Sequence, residues 1–285
     1  MIPATFEYVR AGSLREALAV LATQDGTKVL AGGHSLLPMM RFRLAQPPRL
    51  VDIGHLPELK GVTEHRRGAR IGAATPYRDL LESELLRERF PIIAEVTHSI
   101  GDVQVRNRGT IGGGLAHADP AADMPAVMVA LDATFNLRSK RGRRSVPARG
   151  FFKGPFETAL EPDELLMDIV LPPLPRGAGT AYASFEQAAS GYAIVAAVAV
   201  VARTRKTVSH AVVALTGLGA VAPMVGAAEQ LVNTRGEPEA IQRVAAQAAD
   251  GLEINGDIHA PAEYRRHLVG VAVRNALRTA LERAK

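Results

Sequence analysis

A proline-rich run past the middle of the chain, Pro172-Pro173-Leu174-Pro175-Arg176-Gly177, limits how the polypeptide can be arranged. Proline lacks the N–H group that a strand ladder needs, and its ring interrupts a helix, so regular structure has to stop there. The run therefore predicts a domain boundary. Since 285 residues exceed one average domain, we expect three units: an α/β unit over 1–56, an α+β unit over 57–176 and a C-terminal unit over 177–285.

The first of these units combines short helices with short strands. Apolar residues recur with helical spacing from Leu14 to Leu21, with Ser13 as N-cap and Glu16 in the capping-box position. Ser35 is expected to cap a second helix that ends near Arg41. The remaining elements are two strands, over 28–31 and 50–53, whose spacing around a helix favours parallel pairing.

The other two units contain more strand. In the middle unit we predict a hairpin over 59–73, helices over 77–81, 91–100 and 124–131, a glycine-rich loop over 109–114, and strands over 133–138, 143–147 and 165–171. In the C-terminal unit we predict strands near 180–187, 192–203 and 208–217, followed by three helices between 226 and 284, the last starting at 262. Strands followed by helices indicate an α+β unit.

The composition argues against several classes of protein. Without any cysteine the chain cannot hold an iron–sulfur cluster through thiolates or form a disulfide, which suits the cytoplasm. Its longest apolar run, over 192–202, is too short to span a bilayer. The net charge is +5, and the densest basic run, over 138–144, lies where a hairpin turn is predicted. That run is either a solvated turn or a contact for phosphate or an acidic partner; without interleaved aromatic residues we expect no nucleic-acid binding.

The first of two glycine-rich stretches is Ala31-Gly32-Gly33-His34-Ser35, between a predicted strand and a predicted helix. Glycines let the backbone approach a ligand closely, and N–H groups at a helix N-terminus attract an anion such as pyrophosphate. The Ser35 hydroxyl would add a donor. The alternative is a tight turn that needs glycine only for its shape, with His34 in a structural role.

The second stretch runs from Arg108 through Gly112-Gly113-Gly114 towards Asp123. Asp123 either accepts hydrogen bonds from ribose hydroxyls or caps the helix that follows it. Neither stretch ends in the Gly-Lys-Ser/Thr of a Walker loop, and neither fits the Rossmann pattern. The Gly-x-Gly-x-x-Ala match over 217–222 is followed at once by Pro223, and no second strand of a βαβ unit comes after the helix, so we interpret it as accidental.

Other kinds of site find little support in the sequence. His117, Asp119 and Asp123 lack the spacing of metal ligands, and no fourth ligand is evident. Ser35 lacks the nucleophile-elbow context of a catalytic serine, since Leu37 stands where the Gly-x-Ser-x-Gly motif has its second glycine. We therefore expect neither a metal site nor a catalytic side chain in this chain.

Together the two stretches resemble a known family. AGGHSLLPMM at 31–40 and RNRGTIGGGLAHADPAADMPAVMVALDA at 106–133 are similar to the paired flavin-binding motifs of the FAD-binding medium subunits of molybdenum hydroxylases, the carbon monoxide dehydrogenase and xanthine dehydrogenase family. Further matches are RLVDI at 49–53, IGA at 71–73, PII at 91–93 and ELLMDIVLP at 164–172. The resemblance implies a two-part FAD-binding domain of the vanillyl-alcohol-oxidase (PCMH-like) type, followed by an α+β C-terminal flavoprotein domain.

The resemblance also implies which residues would bind FAD. By position these are Leu30, Ala31, Gly32, Gly33, His34, Ser35, Leu36, Ile100, Gly101, Thr110, Gly113, Gly114, Ala116, His117, Ala122, Asp123, Leu166 and Tyr192. Residues 31–35, Thr110, Gly113 and Gly114 would surround the pyrophosphate, and Asp123 would hold the ribose side. Ile100, Gly101 and Leu166 would contact the flavin or the adenine.

Three positions depart from the family pattern. Gly114 stands where the family often has asparagine, and Glu186 aligns with a basic residue near the flavin edge. Ser190-Gly191-Tyr192-Ala193 replaces a frequent Gly-Asp-Tyr-Ala. The last two departures lie where the flavin potential and access of the electron acceptor would be set, so the acceptor stays open.

The function implied by the resemblance is electron transfer. A large subunit would hold the molybdenum cofactor, a small subunit would hold two [2Fe–2S] clusters, and FAD in this chain would pass electrons to a quinone, NAD or oxygen. We expect a dimer of such heterotrimers in the cytoplasm. The alternatives are a stand-alone FAD-dependent reductase of the same superfamily and a non-catalytic assembly module. The substrate pocket would lie on another chain, so this sequence does not identify the substrate.

Overall fold

The N-terminal residues build a small parallel sheet with helices between its strands. The structure, a computed structural model, describes residues 2–23, 25–219 and 221–285. Strands β1 (Glu7–Arg10), β2 (Lys28–Leu30) and β3 (Arg49–Asp52) pair in the order β1-β3-β2, all parallel. Helices α1 (Leu14–Leu21) and α2 (Leu36–Arg41) connect them. The parallel pairing of β2 and β3 confirms the sequence prediction, whereas β1 was not predicted.

The two predicted helix caps have different outcomes. Ser13 caps α1 as predicted, because its hydroxyl accepts a hydrogen bond from the Glu16 N–H at 3.2 Å. The Glu16 carboxylate reaches back to the Gly12 N–H at 2.7 Å, one residue before the cap. The predicted cap of α2 is wrong: Ser35 precedes α2 with helical backbone angles, and its side chain makes no capping bond.

The middle residues form an antiparallel sheet covered by helices. Its strands are β4 (Val62–His65), β5 (Gly68–Gly72), β6 (Thr134–Arg138), β7 (Arg143–Pro147) and β10 (Leu165–Leu171), in the order β4-β5-β10-β6-β7. The short pair β8 (Phe152–Gly154) and β9 (Glu157–Thr158) lies outside it. The helices are α3 (Tyr77–Glu82), α4 (Glu84–Arg89), α5 (Pro91–Ser99), α6 (Val103–Arg108), α7 (Ile111–His117), α8 (Asp123–Ala130) and α9 (Ala148–Phe151). The predicted hairpins, strands and helices of this unit are confirmed.

One prediction for this region is wrong. The stretch over 109–114 is not a loop, because Gly112, Gly113 and Gly114 form the first turn of α7. Helix α6 immediately before it was not predicted either. Glycine is a poor helix former, so its presence in α7 requires a compensating tertiary contact. That contact is described with the site below.

The C-terminal residues form a three-stranded antiparallel sheet backed by helices. Strands β11 (Gly179–Glu186), β12 (Ala193–Thr204) and β13 (Thr207–Thr216) pair in chain order. Helices α10 (Pro238–Ala246) and α11 (Ala262–Arg283) follow, as predicted. The first of the three predicted helices is a 3-10 helix, Gly226–Leu231. No helix within the described ranges is long and apolar enough to cross a membrane.

In two strands, β10 and β12, neighbouring residues pack into different hydrophobic cores. On β12, Val195, Ala197, Ala199 and Val201 pack with α10 and α11, whereas Val198 and Val200 join the core of the middle region. Burial on both faces explains why β12 is a continuous apolar run without alternation. On β10, Leu165 packs with the N-terminal core and Leu166 with the middle core.

Candidate cofactor site

The first glycine-rich stretch forms a turn between β2 and α2 with a row of available donors. Gly33 has φ of +79°, a conformation that favours glycine. Among the described residues none accepts a hydrogen bond from the backbone N–H groups of residues 32–36, or pairs with the Ser35 hydroxyl. The His34 ring lies back on its own turn, with Nδ1 3.2 Å from the Gly32 carbonyl oxygen. Available N–H groups at a helix N-terminus can bind an anion.

The two glycine-rich stretches touch each other at Gly32. A Cβ atom built on Gly32 would overlap the Arg108 carbonyl oxygen and lie 2.9 Å from the Gly109 Cα atom. Only glycine allows this approach of one backbone to the other. The contact places the donors of the first stretch beside the start of α7.

In the second stretch most N–H groups already have partners inside the chain. The Gly112 N–H donates to the Ala73 carbonyl at 2.8 Å, and the Gly113 N–H donates to the Thr110 hydroxyl oxygen at 3.2 Å. The Gly114 N–H donates to the Thr110 carbonyl at 3.0 Å. Thr110 is thus the N-cap of α7, and its own hydroxyl hydrogen has no acceptor among the described residues. For a phosphate, this stretch offers the Thr110 hydroxyl rather than those glycine N–H groups.

Close packing explains the glycines in α7. A Cβ atom on Gly112 would lie 2.5 Å from the Cβ and carbonyl oxygen atoms of Ala73, and one on Gly114 would overlap the Tyr77 hydroxyl. The backbone is also bonded to its neighbours, since the Tyr77 N–H donates to the Gly109 carbonyl at 2.9 Å. The second stretch is therefore a helix start fixed against the segment between β5 and α3.

Asp123 is buried at the first residue of α8 and does not cap that helix with its side chain. The N-cap is Ala122, which makes no side-chain bond. The Asp123 carboxylate instead accepts a hydrogen bond from the Tyr182 hydroxyl on β11 at 2.7 Å. Burial raises the pKa of Asp123 to about 7; the Tyr182 bond opposes the rise, whereas Glu186 and Asp119 add to it. The capping alternative is wrong, and the carboxyl group is available to a ligand.

The predicted residues at the end of α5 are held by a guanidinium group. Gly101 has φ of +52°, and Arg106 donates to the carbonyl oxygens of Ile100 and Gly101 at 3.1 and 2.9 Å. The β11–β12 loop lies alongside, because a Cβ atom on Gly191 would be 3.8 Å from the last carbonyl oxygen of α5. Tyr192, next in that loop, is 49% exposed and thus available to stack on a ligand.

The remaining predicted residues lie around the same helices. The His117 ring packs 5.1 Å from the Phe156 ring, and burial lowers the pKa of His117. Leu166 is enclosed in the middle core. The others are Leu30 at the end of β2, Leu36 at the start of α2, Ala116 in α7 and Ala122 before α8. In the part of the chain that the structure describes, no group of three His, Cys, Asp or Glu could hold a metal ion.

Sequence reasoning missed two side chains of this region. Tyr182 contacts Asp123 from a strand 59 residues away, and Tyr77 lies against Gly109 and Gly114. Neither has a local motif. The three consecutive glycines of the second stretch, residues 112–114, were the only feature of the sequence that indicated close packing of a bulky side chain on α7.

Comparisons with known proteins identify both parts of the chain. Residues 4–174 match the family model described as the FAD-binding domain in molybdopterin dehydrogenase. Residues 180–280 match the carbon monoxide dehydrogenase flavoprotein C-terminal domain. These two matches confirm the predicted α+β class, with an FAD-binding domain followed by a flavoprotein C-terminal domain.

Relatives of known activity are similar over the full chain. The carbon monoxide dehydrogenase medium chain of Hydrogenophaga pseudoflava is 40% identical, covering 99% of both chains. The 6-hydroxypseudooxynicotine dehydrogenase complex subunit alpha of Paenarthrobacter nicotinovorans is 36% identical over 100% of this chain and 97% of its own. A solved carbon monoxide dehydrogenase from Hydrogenophaga pseudoflava superimposes with a TM-score of 0.97 at 41% identity, covering 100% of both chains.

The same fold serves a different substrate in another solved structure. Quinoline 2-oxidoreductase from Pseudomonas putida 86 superimposes with a TM-score of 0.94 at 31% identity, covering 99% of both chains. The matching domains, the relatives and the arrangement of the two glycine-rich stretches agree. This chain is an oxidoreductase subunit and belongs to the family of FAD-binding medium subunits of the molybdenum hydroxylases, which includes carbon monoxide dehydrogenase medium chains.

Proposed function

We propose that this chain carries FAD as the electron-transfer subunit of a multi-subunit molybdenum hydroxylase. It would take electrons from [2Fe–2S] clusters on a partner subunit and pass them to an external acceptor, either a quinone, NAD or oxygen. The observation that carries the proposal is the row of available N–H groups at residues 32–36, fixed against the second stretch at Gly32. Such a row fits a pyrophosphate with little reorganisation.

Different residues of the described chain would bind different parts of the dinucleotide. The N–H groups of residues 32–36 and the hydroxyls of Ser35 and Thr110 would bind the pyrophosphate oxygens. Asp123 would accept hydrogen bonds from hydroxyl groups of the sugar, and Tyr192 offers an exposed ring for the flavin. FAD, when bound, supplies the redox chemistry, and the protein supplies binding and orientation.

The names of the relatives support a division of labour between subunits. They are medium chains and complex subunits, so we propose an iron–sulfur small subunit and a molybdenum-cofactor large subunit as partners. The absence of cysteine agrees, since thiolate-held [2Fe–2S] clusters need another chain. We propose a dimer of heterotrimers in the cytoplasm. We propose that the substrate is chosen outside this chain, and relatives named for carbon monoxide and for quinoline support this proposal.

We also propose that the units over 1–56, 57–176 and 177–285 act as domains. The three larger sheets, one each in the N-terminal, middle and C-terminal regions, support this division. The FAD site would then lie between the first two units, with β11 and its Tyr182 contributed by the third.

The test is native purification of the complex from its host, with flavin, iron and molybdenum quantified in one fraction. We expect all three to co-elute with this chain and two further polypeptides. A chain that elutes alone with FAD would favour the stand-alone reductase. A chain without flavin, in an otherwise intact preparation, would overturn the proposal and leave the assembly module.

Two glycine variants link the cofactor content to the first stretch. Gly33→Val should abolish FAD retention, because valine disfavours φ of +79° and would reshape the row of N–H groups. Gly251→Val is the matched control: its φ is +71°, and a Cβ there meets nothing within 4 Å. Both variants carry similar backbone strain, so FAD lost from both alike would contradict the pyrophosphate assignment.

A further inference from the structure

Tyr77 lies underneath the second glycine-rich stretch, in contact with two of its glycines. It is the first residue of α3 and only 7% exposed. Its backbone N–H donates to the Gly109 carbonyl, and a Cβ atom on Gly109 would lie 3.2 Å from the ring. At the far end of the ring, a Cβ atom on Gly114 would overlap the hydroxyl oxygen. The ring therefore follows the stretch from Gly109 to Gly114, and both glycines leave room for it.

The Tyr77 hydroxyl has no hydrogen-bond partner among the described residues, although the residue is buried. In the described chain two polar side-chain atoms are fully enclosed and also lack a hydrogen-bond partner, His55 Nδ1 and Arg203 Nε. The Tyr77 hydroxyl oxygen lacks a partner too, but it is not fully enclosed. The hydroxyl oxygen therefore reaches the accessible surface while the rest of the side chain is covered. A buried tyrosine usually satisfies its hydroxyl, so this one is positioned for a group outside the chain.

The surroundings of this hydroxyl are those of the proposed FAD site. Burial, followed by the charges of Asp123 and Tyr192, raises the pKa of Tyr77 far above its usual range. The hydroxyl therefore stays protonated and can donate a hydrogen bond. Thr110, the N-cap of α7, lies one helical turn before Gly114, and its hydroxyl hydrogen also has no acceptor among the described residues.

We propose that Tyr77 is a further FAD-binding residue, whose hydroxyl donates a hydrogen bond to an oxygen of the ribityl–pyrophosphate chain. This contact requires glycine at position 114, because any side chain there would displace the Tyr77 hydroxyl. The inference rests on the proposed function, since it assumes that FAD is the ligand.

The test measures FAD affinity of the purified chain by quenching of flavin fluorescence, together with the melting temperature of the FAD-free protein. Tyr77→Phe should raise the Kd for FAD about fivefold to tenfold, the effect of one lost hydrogen bond. The melting temperature without FAD should not fall, because no residue that the structure describes is hydrogen-bonded to the hydroxyl. Tyr264→Phe, at a half-exposed position on α11, is the matched control and should change neither value.

A second variant tests the contact with Gly114. Alanine favours a helix more than glycine does, so Gly114→Ala should not weaken α7 itself. Its methyl group should push the hydroxyl aside and raise the Kd about as much as Tyr77→Phe. In the double variant the two effects should not add, because the methyl group then fills space that the hydroxyl has left.

Each outcome decides a separate point. A wild-type chain that binds no FAD would overturn the proposed function, and this inference with it. Wild-type affinity in Tyr77→Phe, with a wild-type chain that does bind FAD, would overturn this inference alone. Fully additive losses in the double variant would also overturn it, because the two positions would then act independently.

Discussion

At the scale of single residues, Asp123 combines burial, a hydrogen bond and nearby negative charge. The residue is 7% exposed, and its carboxylate accepts a hydrogen bond from the Tyr182 hydroxyl, with Glu186 and Asp119 close enough to disfavour its ionisation. An isolated buried carboxylate is costly unless a ligand or a proton compensates it. The structure therefore predicts that Asp123 changes its protonation near neutral pH.

The pH dependence of stability tests this prediction. The pKa of Asp123 rises from 3.8 to about 7 on folding, so the folded chain keeps a proton that the unfolded chain has released. The resulting stabilisation is complete below pH 3.8 and is lost as the pH rises through about 7. Urea unfolding of the FAD-free protein between pH 5 and pH 8 should show wild type losing stability relative to Asp123→Asn, by up to about 3 kcal/mol across this range.

The control for this experiment is Asp250→Asn, which changes an exposed carboxylate after α10. Its curve should stay parallel to that of wild type. Parallel curves for Asp123→Asn and wild type would contradict the raised pKa.

How far the sequence predicts individual site residues depends on whether a local motif contains them. The turn at Gly33 follows from a strand, two glycines and a helix start in succession. The Asp123–Tyr182 bond joins α8 to β11, 59 residues apart in the sequence, and no local pattern relates them. For the same reason Tyr77 was predicted as a helix start but not as a neighbour of Gly114.

At the scale of elements, α11 is tied to the C-terminal sheet by a buried cation. The Arg265 guanidinium donates to the carbonyl oxygens of Ile194 and Gly217, at the ends of β12 and β13, and forms an ion pair with Asp257. The side chain is almost fully enclosed. These carbonyl groups would be left without a donor if the guanidinium were removed.

Arg265→Met should therefore lower the free energy of unfolding by about 3 to 5 kcal/mol. Chemical denaturation followed by circular dichroism measures the loss. Arg274→Met, on an exposed position of the same helix, should stay within about 0.5 kcal/mol of wild type. Equal losses in both variants would show that the helix itself, and not the buried cation, is what the substitution affects.

Elements with strong periodicity were predictable from the sequence, and those shaped by tertiary contacts were not. The apolar spacing of α1 and the alternating strands of the hairpins are local signals. Strand β1 gave no such signal, because Glu7, Tyr8 and Arg10 are exposed. The start of α7 was predicted as a loop because glycine disfavours helices, whereas contacts with Ala73 and Tyr77 require glycine there.

At the scale of the whole molecule, β13 connects the C-terminal sheet to the segment that precedes α8. The Thr216 hydroxyl lies 2.8 and 3.0 Å from the carbonyl oxygens of Ala122 and Pro120, and the Gly217 N–H donates to the latter at 2.9 Å. Ala122 adjoins Asp123. The position of Asp123 is thus set from two sides, by Tyr182 and by this segment.

Thr216→Val keeps the side-chain shape and removes the hydroxyl. It should lower the free energy of unfolding by about 1 to 3 kcal/mol, because the Ala122 carbonyl loses the nearby hydroxyl donor, whereas the Pro120 carbonyl keeps the Gly217 N–H. FAD affinity, measured by fluorescence quenching, should fall as well. Thr207→Val, at the exposed start of β13, is the control. A stability loss with unchanged FAD affinity would show that the segment does not position Asp123.

How the helices and strands pack together was less predictable from the sequence than the helices and strands themselves. The apolar run over 192–202 predicted a buried strand, but it did not indicate that one face belongs to the middle core and the other to α11. Which core a buried residue joins depends on contacts between distant segments, as the neighbours Leu165 and Leu166 show.

The double burial of β12 has a consequence for synthesis of the chain on the ribosome. The middle region is made before β12 and can cover Val198 and Val200 at once. The opposite face, with Val195 and Ala199, has to wait until α11 has emerged. During that interval the growing polypeptide exposes an apolar sheet surface, which is the kind of surface that chaperones recognise and that aggregates when it is left uncovered.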